Sequence, residues 1–157
     1  MGADYSAMLI VGIDATDLLE EREVVMGKRT KYDPDTGKPY EVEEKDGRVF
    51  FLGEDVTDKV ELNGTVAVLN QLLQQRGVQK NDCDDRDGEI RAESMNDVCG
   101  DDDVYIGRII RCGYSNDGCD GMVEIDVPGL LKEVAGLLKK AKIPGKPSVF
   151  VGLLCSC

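Results

Sequence analysis

Acidic side chains are the groups of this chain whose number and spacing could do chemistry. Between residues 81 and 103 the sequence carries ten Asp and Glu against two Arg. Crowded carboxylates repel one another unless a cation or a basic surface neutralises them. Within this block, Cys83-Asp84-Asp85-Arg86-Asp87-Gly88-Glu89 puts Asp85, Asp87 and Gly88 at positions 3, 5 and 6 of a calcium-binding EF-hand loop. Position 1 would then be Cys83, a poor ligand for a hard cation, and position 12 would be Ser94, with Glu93 one residue out of register. A regular EF-hand is therefore not expected. A looser Ca or Mg site on Asp85, Asp87 and Glu89 is the alternative to a segment without metal or cofactor. Asp84, Asp85, Asp87, Asp101, Asp102 and Asp103 are the residues expected to meet a partner.

The other chemistry-bearing side chains narrow the field. His is absent, which removes imidazole bases, imidazole metal ligands and Ser-His or Cys-His nucleophile pairs. The six Cys are Cys83, Cys99, Cys112, Cys119, Cys155 and Cys157, and no two stand as C-x-x-C. Structural zinc is not expected, and the thiols are expected to be mainly free. A zinc site on Cys112, Cys119, Cys155 and Cys157 would require the last strand to lie near the Cys112 strand.

The formal net charge is −12, and residues 81–103 alone supply −8 of it. Binding of nucleic acid needs clustered Lys and Arg, so direct contact with nucleic acid is not expected. A basic protein surface is the expected partner. No apolar run approaches the length of a membrane span, and the opening Met1 to Tyr5 has no basic region before a long apolar stretch. A cytoplasmic protein without membrane contact is the resulting expectation.

Elements that would position these groups follow from periodicity. Ser6 to Ile13 reads as a buried strand ending at Asp14. Arg22 to Tyr32, Tyr40 to Glu44 and Arg48 to Leu52 read as further strands, turned at Asp33-Pro34-Asp35-Thr36-Gly37 and at Asp46-Gly47. Val66, Leu69, Leu72 and Leu73 share one helical face, stopped by Gly77. Residues 81–103 read as a long acidic loop, since apolar residues there lack a period. Val104 to Cys112 and Met122 to Val127 read as strands. A helix follows with Asp126 as N-cap and Pro128 in its first turn, and Ser148 to Leu154 closes the chain as a buried strand. The expected fold is α+β or α/β. It is a single domain over 1–157 with one mixed sheet of about five to six strands and two helices, in the order β-β-β-α-(acidic loop)-β-β-α-β.

Two resemblances add expectations. Gly12-Ile13-Asp14-Ala15-Thr16, at the end of the first strand, resembles the start of ribonuclease H-like nucleases and of actin-like ATPases. The nuclease resemblance implies a divalent metal held by Asp14, with Asp126 as second ligand, activating water for phosphodiester cleavage. The helix from Val66 to Gln75 lacks the acidic residue that family usually supplies there. The opening Met1-Gly2-Ala3-Asp4-Tyr5, and the apolar strand near the other end, look like those of small bacteriophage accessory proteins, which implies an inhibitor of host machinery. Two functions are thus weighed. One is a non-catalytic binding protein docking through its acidic loop. The other is a metal-dependent phosphodiesterase built on Asp14 and Asp126.

Overall fold

A computed structural model describes the backbone of residues 4–80, 89–96, 102–115, 118–119 and 124–156. In chain order the elements are β1 (Asp4–Asp14), a 3-10 turn (Thr16–Leu18), β2 (Leu19–Tyr32), β3 (Pro39–Phe51), β4 (Glu54–Asp55), α1 (Thr57–Asn63), α2 (Thr65–Gln75), β5 (Arg91–Asn96), β6 (Asp102–Ser115), β7 (Gly118–Cys119), α3 (Val127–Lys140) and β8 (Ser148–Ser156). They fall into two compact units, residues 1–16 with 64–157, and residues 17–63.

The larger unit is built on β1. Its Met8 to Ile13 stretch has no polar side chain, and Met8, Ile10, Val11 and Ile13 are buried, with Leu9 half-buried, so both faces of the strand are largely covered. β1 runs antiparallel to β6 on one side and to β8 on the other. β5 pairs with β6 beyond it, giving the order β5-β6-β1-β8, with β7 also on β6. Gly12 stands opposite Gly107 where β1 crosses β6. A Cβ at Gly12 would land on the Ile106 carbonyl oxygen, and one at Gly107 on that of Val11. Only a pair of glycines permits this approach.

α3 packs along β1 and β6, and Glu133 on it pairs with Arg108 of β6 at 3.1 Å. Its start is set as the sequence implies: the Asp126 carboxylate accepts the Gly129 N–H at 3.1 Å, with Pro128 in the first turn. α2 buries Val68, Leu69, Leu72 and Leu73 and ends before Gly77, whose φ of 75° no residue with a Cβ adopts easily. Arg76 donates to the Ala141 carbonyl at 2.8 Å, and Lys140 to the Gly77 carbonyl at 3.1 Å. These bonds tie the C-terminal ends of the two helices together.

The smaller unit is a long β2–β3 ribbon with β4 and α1 at its base. Asp33 makes the turn by accepting the N–H groups of Asp35 and Thr36, which hold its carboxyl below the usual carboxylate range. At the base, Arg48 meets Asp55 at 3.0 Å, Asp58 at 3.5 Å and Asp46 at 3.6 Å. Asp55 accepts the Thr57 hydroxyl and N–H, and these bonds, helped by Arg48, hold its carboxyl low.

Several expectations need correction. The single mixed sheet is two sheets: Ser6 to Ile13 does not share a sheet with the next strands but pairs with β6 and β8. Asp46-Gly47 is no turn. It lies within β3, because the longer register with β2 satisfies its backbone groups. The short helix α1 was not expected. The acidic segment is not one loop, since it contains β5 and the start of β6. Met122 to Val127 is not a strand where described: Glu124 to Asp126 is irregular, and Val127 already opens α3. The last strand, expected inside its sheet, stands at the edge, with Val151 71% exposed.

Candidate functional site

The acidic segment is fixed to the fold by its few apolar residues and one amide. Ile90 is fully buried and Ala92 nearly so. β5 is an edge strand, and the outward N–H and C=O of Ala92 would lack a strand partner. Asn70, inside α2, supplies one: its Oδ1 accepts the Ala92 N–H at 2.9 Å and its Nδ2 donates to the Ala92 carbonyl at 3.3 Å. Gln79 donates to the same Oδ1 at 3.1 Å and is itself buried, its Oε1 accepting no hydrogen bond from the described residues. Asn70 was missed in the sequence. Its signal was a polar amide next to the buried Leu69 inside an apolar helix.

Both acidic runs begin and end at residues that this frame holds together. The chain leaves at Lys80 and returns at Glu89, whose carboxylate accepts the Lys80 N–H at 2.9 Å. It leaves again at Asn96 and returns at Asp102, its cross-strand partner. Asp84, Asp85, Asp87 and Asp101 lie outside the described residues. Asp102 and Asp103 belong to β6, opposite Asn96 and Met95. The two runs therefore leave from opposite ends of β5, six residues or about 20 Å apart.

The Asp14 carboxylate is engaged locally, accepting the Thr16 hydroxyl at 2.6 Å and its N–H at 3.0 Å. Thr16 in turn accepts the Val104 N–H at 3.1 Å, so the group closes the end of the β1–β6 pair. Asp126 is the helix cap already described. The neighbour of Asp14 is Tyr105, its register partner. Burial, then the Asp14 and Asp103 carboxylates, push the Tyr105 hydroxyl above its ordinary value. Tyr105 also rests on Phe150, ring centres 4.9 Å apart. Among the described residues no three Cys, Asp or Glu side chains gather as a metal centre would require. Of the alternative cation set Asp85, Asp87 and Glu89, only Glu89 is described, and it is bonded to Lys80. β1 lies between the strands that carry Cys112 and Cys155, which separates their backbones by about 10 Å. Cys119 is on β7, while Cys83, Cys99 and Cys157 lie outside the described residues.

A shallow concavity of about 440 Å³ on the ribbon is lined by Glu21, Arg22, Glu23, Gly47, Arg48 and Val49. Its cations are occupied: Arg48 by three carboxylates, and Arg22 by the Phe50 ring, 3.8 Å from its centre. No family model, curated protein or solved structure matches the chain. Among the described residues no helix is long and apolar enough to cross a membrane.

Proposed function

We propose that this chain is a non-catalytic binding protein that docks on a basic protein surface through two acidic clusters at the ends of β5. The observation that carries the reading is the framing of the acidic runs. Ile90, Ala92 and the Asn70 clamp hold β5, and the two runs leave and return at paired residues on either side of it. Acidic residues borne next to anchored chain positions would raise the rate of encounter with a basic surface and bias its orientation. Asp84, Asp85 and Asp87 form one contact, and Asp101, Asp102 and Asp103 the other.

Labelled poly-L-lysine is a suitable probe. Its affinity at low salt should fall by about 10-fold or more when all six Asp become Asn, and each set of three should contribute separately. The salt dependence should flatten in parallel. Neutralising the three ribbon acids Glu41, Glu43 and Glu44 to Gln should change affinity far less. Equal losses from the ribbon set and either acidic set would overturn the reading, because net charge alone would then explain binding.

A further inference from the structure

The β2–β3 ribbon poses a separate question. Its two strands have 14 and 13 residues, and β2 is exposed at every position except the half-buried Leu19 and Val24. Val25, Met26, Tyr32 and Tyr40 are large apolar side chains left 47–69% exposed along it. A two-stranded ribbon without a covering layer is marginal in water, whereas further strands stabilise it. β3 has β4 beside its base, but β2 is the end of its sheet among the described residues. Its outer backbone edge is where a further strand would add.

The residues of β2 state which strand fits. Read outward from the point between Val25 and Met26, most of the strand complements itself, with Arg22 against Arg29 and Glu21 against Thr30 as the exceptions. Val25 answers Met26, Val24 answers Gly27, Glu23 answers Lys28, Glu20 answers Lys31 and Leu19 answers Tyr32. In a regular strand such partners would face opposite sides of the sheet, because their numbers differ in parity. The bulge between Val25 and Gly27 removes that obstacle. Glu23 and Lys28 lie opposite Gly47 and Glu43, and Glu20 and Lys31 opposite Phe50 and Tyr40. Each pair of β3 positions is an even number of residues apart. Glu23 and Lys28 therefore share a face, as do Glu20 and Lys31.

We propose that a second copy of this chain pairs antiparallel with β2 along its free edge, about a two-fold axis between Val25 and Met26. The axis brings Glu23 against Lys28 and Glu20 against Lys31, each twice. It covers Val25 with Met26 and Leu19 with Tyr32. Within each chain the like-charged pair, Arg22 against Arg29, has its own partners, as have Glu23 with Lys45 at 3.8 Å and Lys28 with Glu41 at 3.5 Å. Arg22 lies over Phe50, and Arg29 is 3.8 Å from Glu44. Edge charges and a bulge repel unrelated strands. A strand with the reversed order of charges at Glu20, Glu23, Lys28 and Lys31 suits this edge, and a second β2 supplies it, which makes the contact isologous and closed.

Charge exchange tests the geometry. Sedimentation equilibrium of the full chain should show a dimer of the 17.2 kDa protomer. Glu20→Lys with Glu23→Lys makes all four positions basic, and Lys28→Glu with Lys31→Glu makes them acidic. Each double variant alone should dissociate about 100-fold more readily at low salt. Mixed in equal amounts, the two variants should form a heterodimer as tight as the wild type. Circular dichroism checks that each variant is folded, and the mixture recovers only if both are. A wild type that stays monomeric at 0.5 mM (an order-of-magnitude ceiling for a useful contact, ~4 kcal/mol) would overturn the proposal. So would a dimer indifferent to both variants, or variants that fail to recover on mixing.

Discussion

At the scale of single residues, the Asp14 and Asp126 carboxylates each accept hydrogen bonds from the chain just beyond them, one at a strand end and one at a helix start. Asp126 was legible as a helix cap, because an acid just before Val-Pro-Gly at a helix start suits the N-cap. Asp14 was legible as the end of a strand. Its partner was not, since the Thr16 bonds that occupy it depend on the conformation of the chain just beyond β1. Asn70 was hidden for a related reason: its value lies in satisfying a β-edge that no local pattern announces. Replacing Asn70 by Ala should leave the Ala92 N–H and the Gln79 amide without their acceptor and cost about 1–3 kcal/mol. Urea denaturation followed by circular dichroism would measure this. A loss within error of zero would mean water serves the edge equally well.

At the scale of elements, periodicity located what local sequence controls and missed what pairing controls. The two longer helices and the Asp33 to Gly37 turn were readable because caps, stripes and turn residues are local signals. β5 was not, because its sequence Arg91–Asn96 alternates weakly and becomes a strand by pairing with β6. Asp46-Gly47 misled for the opposite reason, a strong turn signal overruled by the continuous ladder of β3. The crossing of β1 and β6 is the most sensitive point of the larger sheet. Gly107→Ala should force the strands apart and cost about 3 kcal/mol, read as a lowered urea midpoint. An alanine variant as stable as the wild type would show that the sheet relaxes there without penalty.

At the scale of the whole molecule, the coarse class of mixed helices and strands was legible, and the division into two units was not. The reason is that the ribbon from Leu19 to Phe51 looks locally like the opening strands of one sheet, and only long-range pairing of β1 with β6 and β8 separates it. The acidic runs were legible as charge and not as geometry, since β5 separates what the sequence presents as one block. These acids are proposed to serve a partner rather than the fold. Carboxylates gathered without a counter-ion oppose folding, so removing their charge should not harm it. A bound Ca or Mg ion would invert this, because the ion stabilises only the folded state. The direct measurement is a thermal melt of the wild type and of the variant with Asp84, Asp85, Asp87, Asp101, Asp102 and Asp103 all replaced by Asn, each with and without EDTA. The variant should melt at an equal or higher temperature, and EDTA should change the melting of neither protein. A variant that melts lower, or a wild type that EDTA destabilises, would contradict the proposed role.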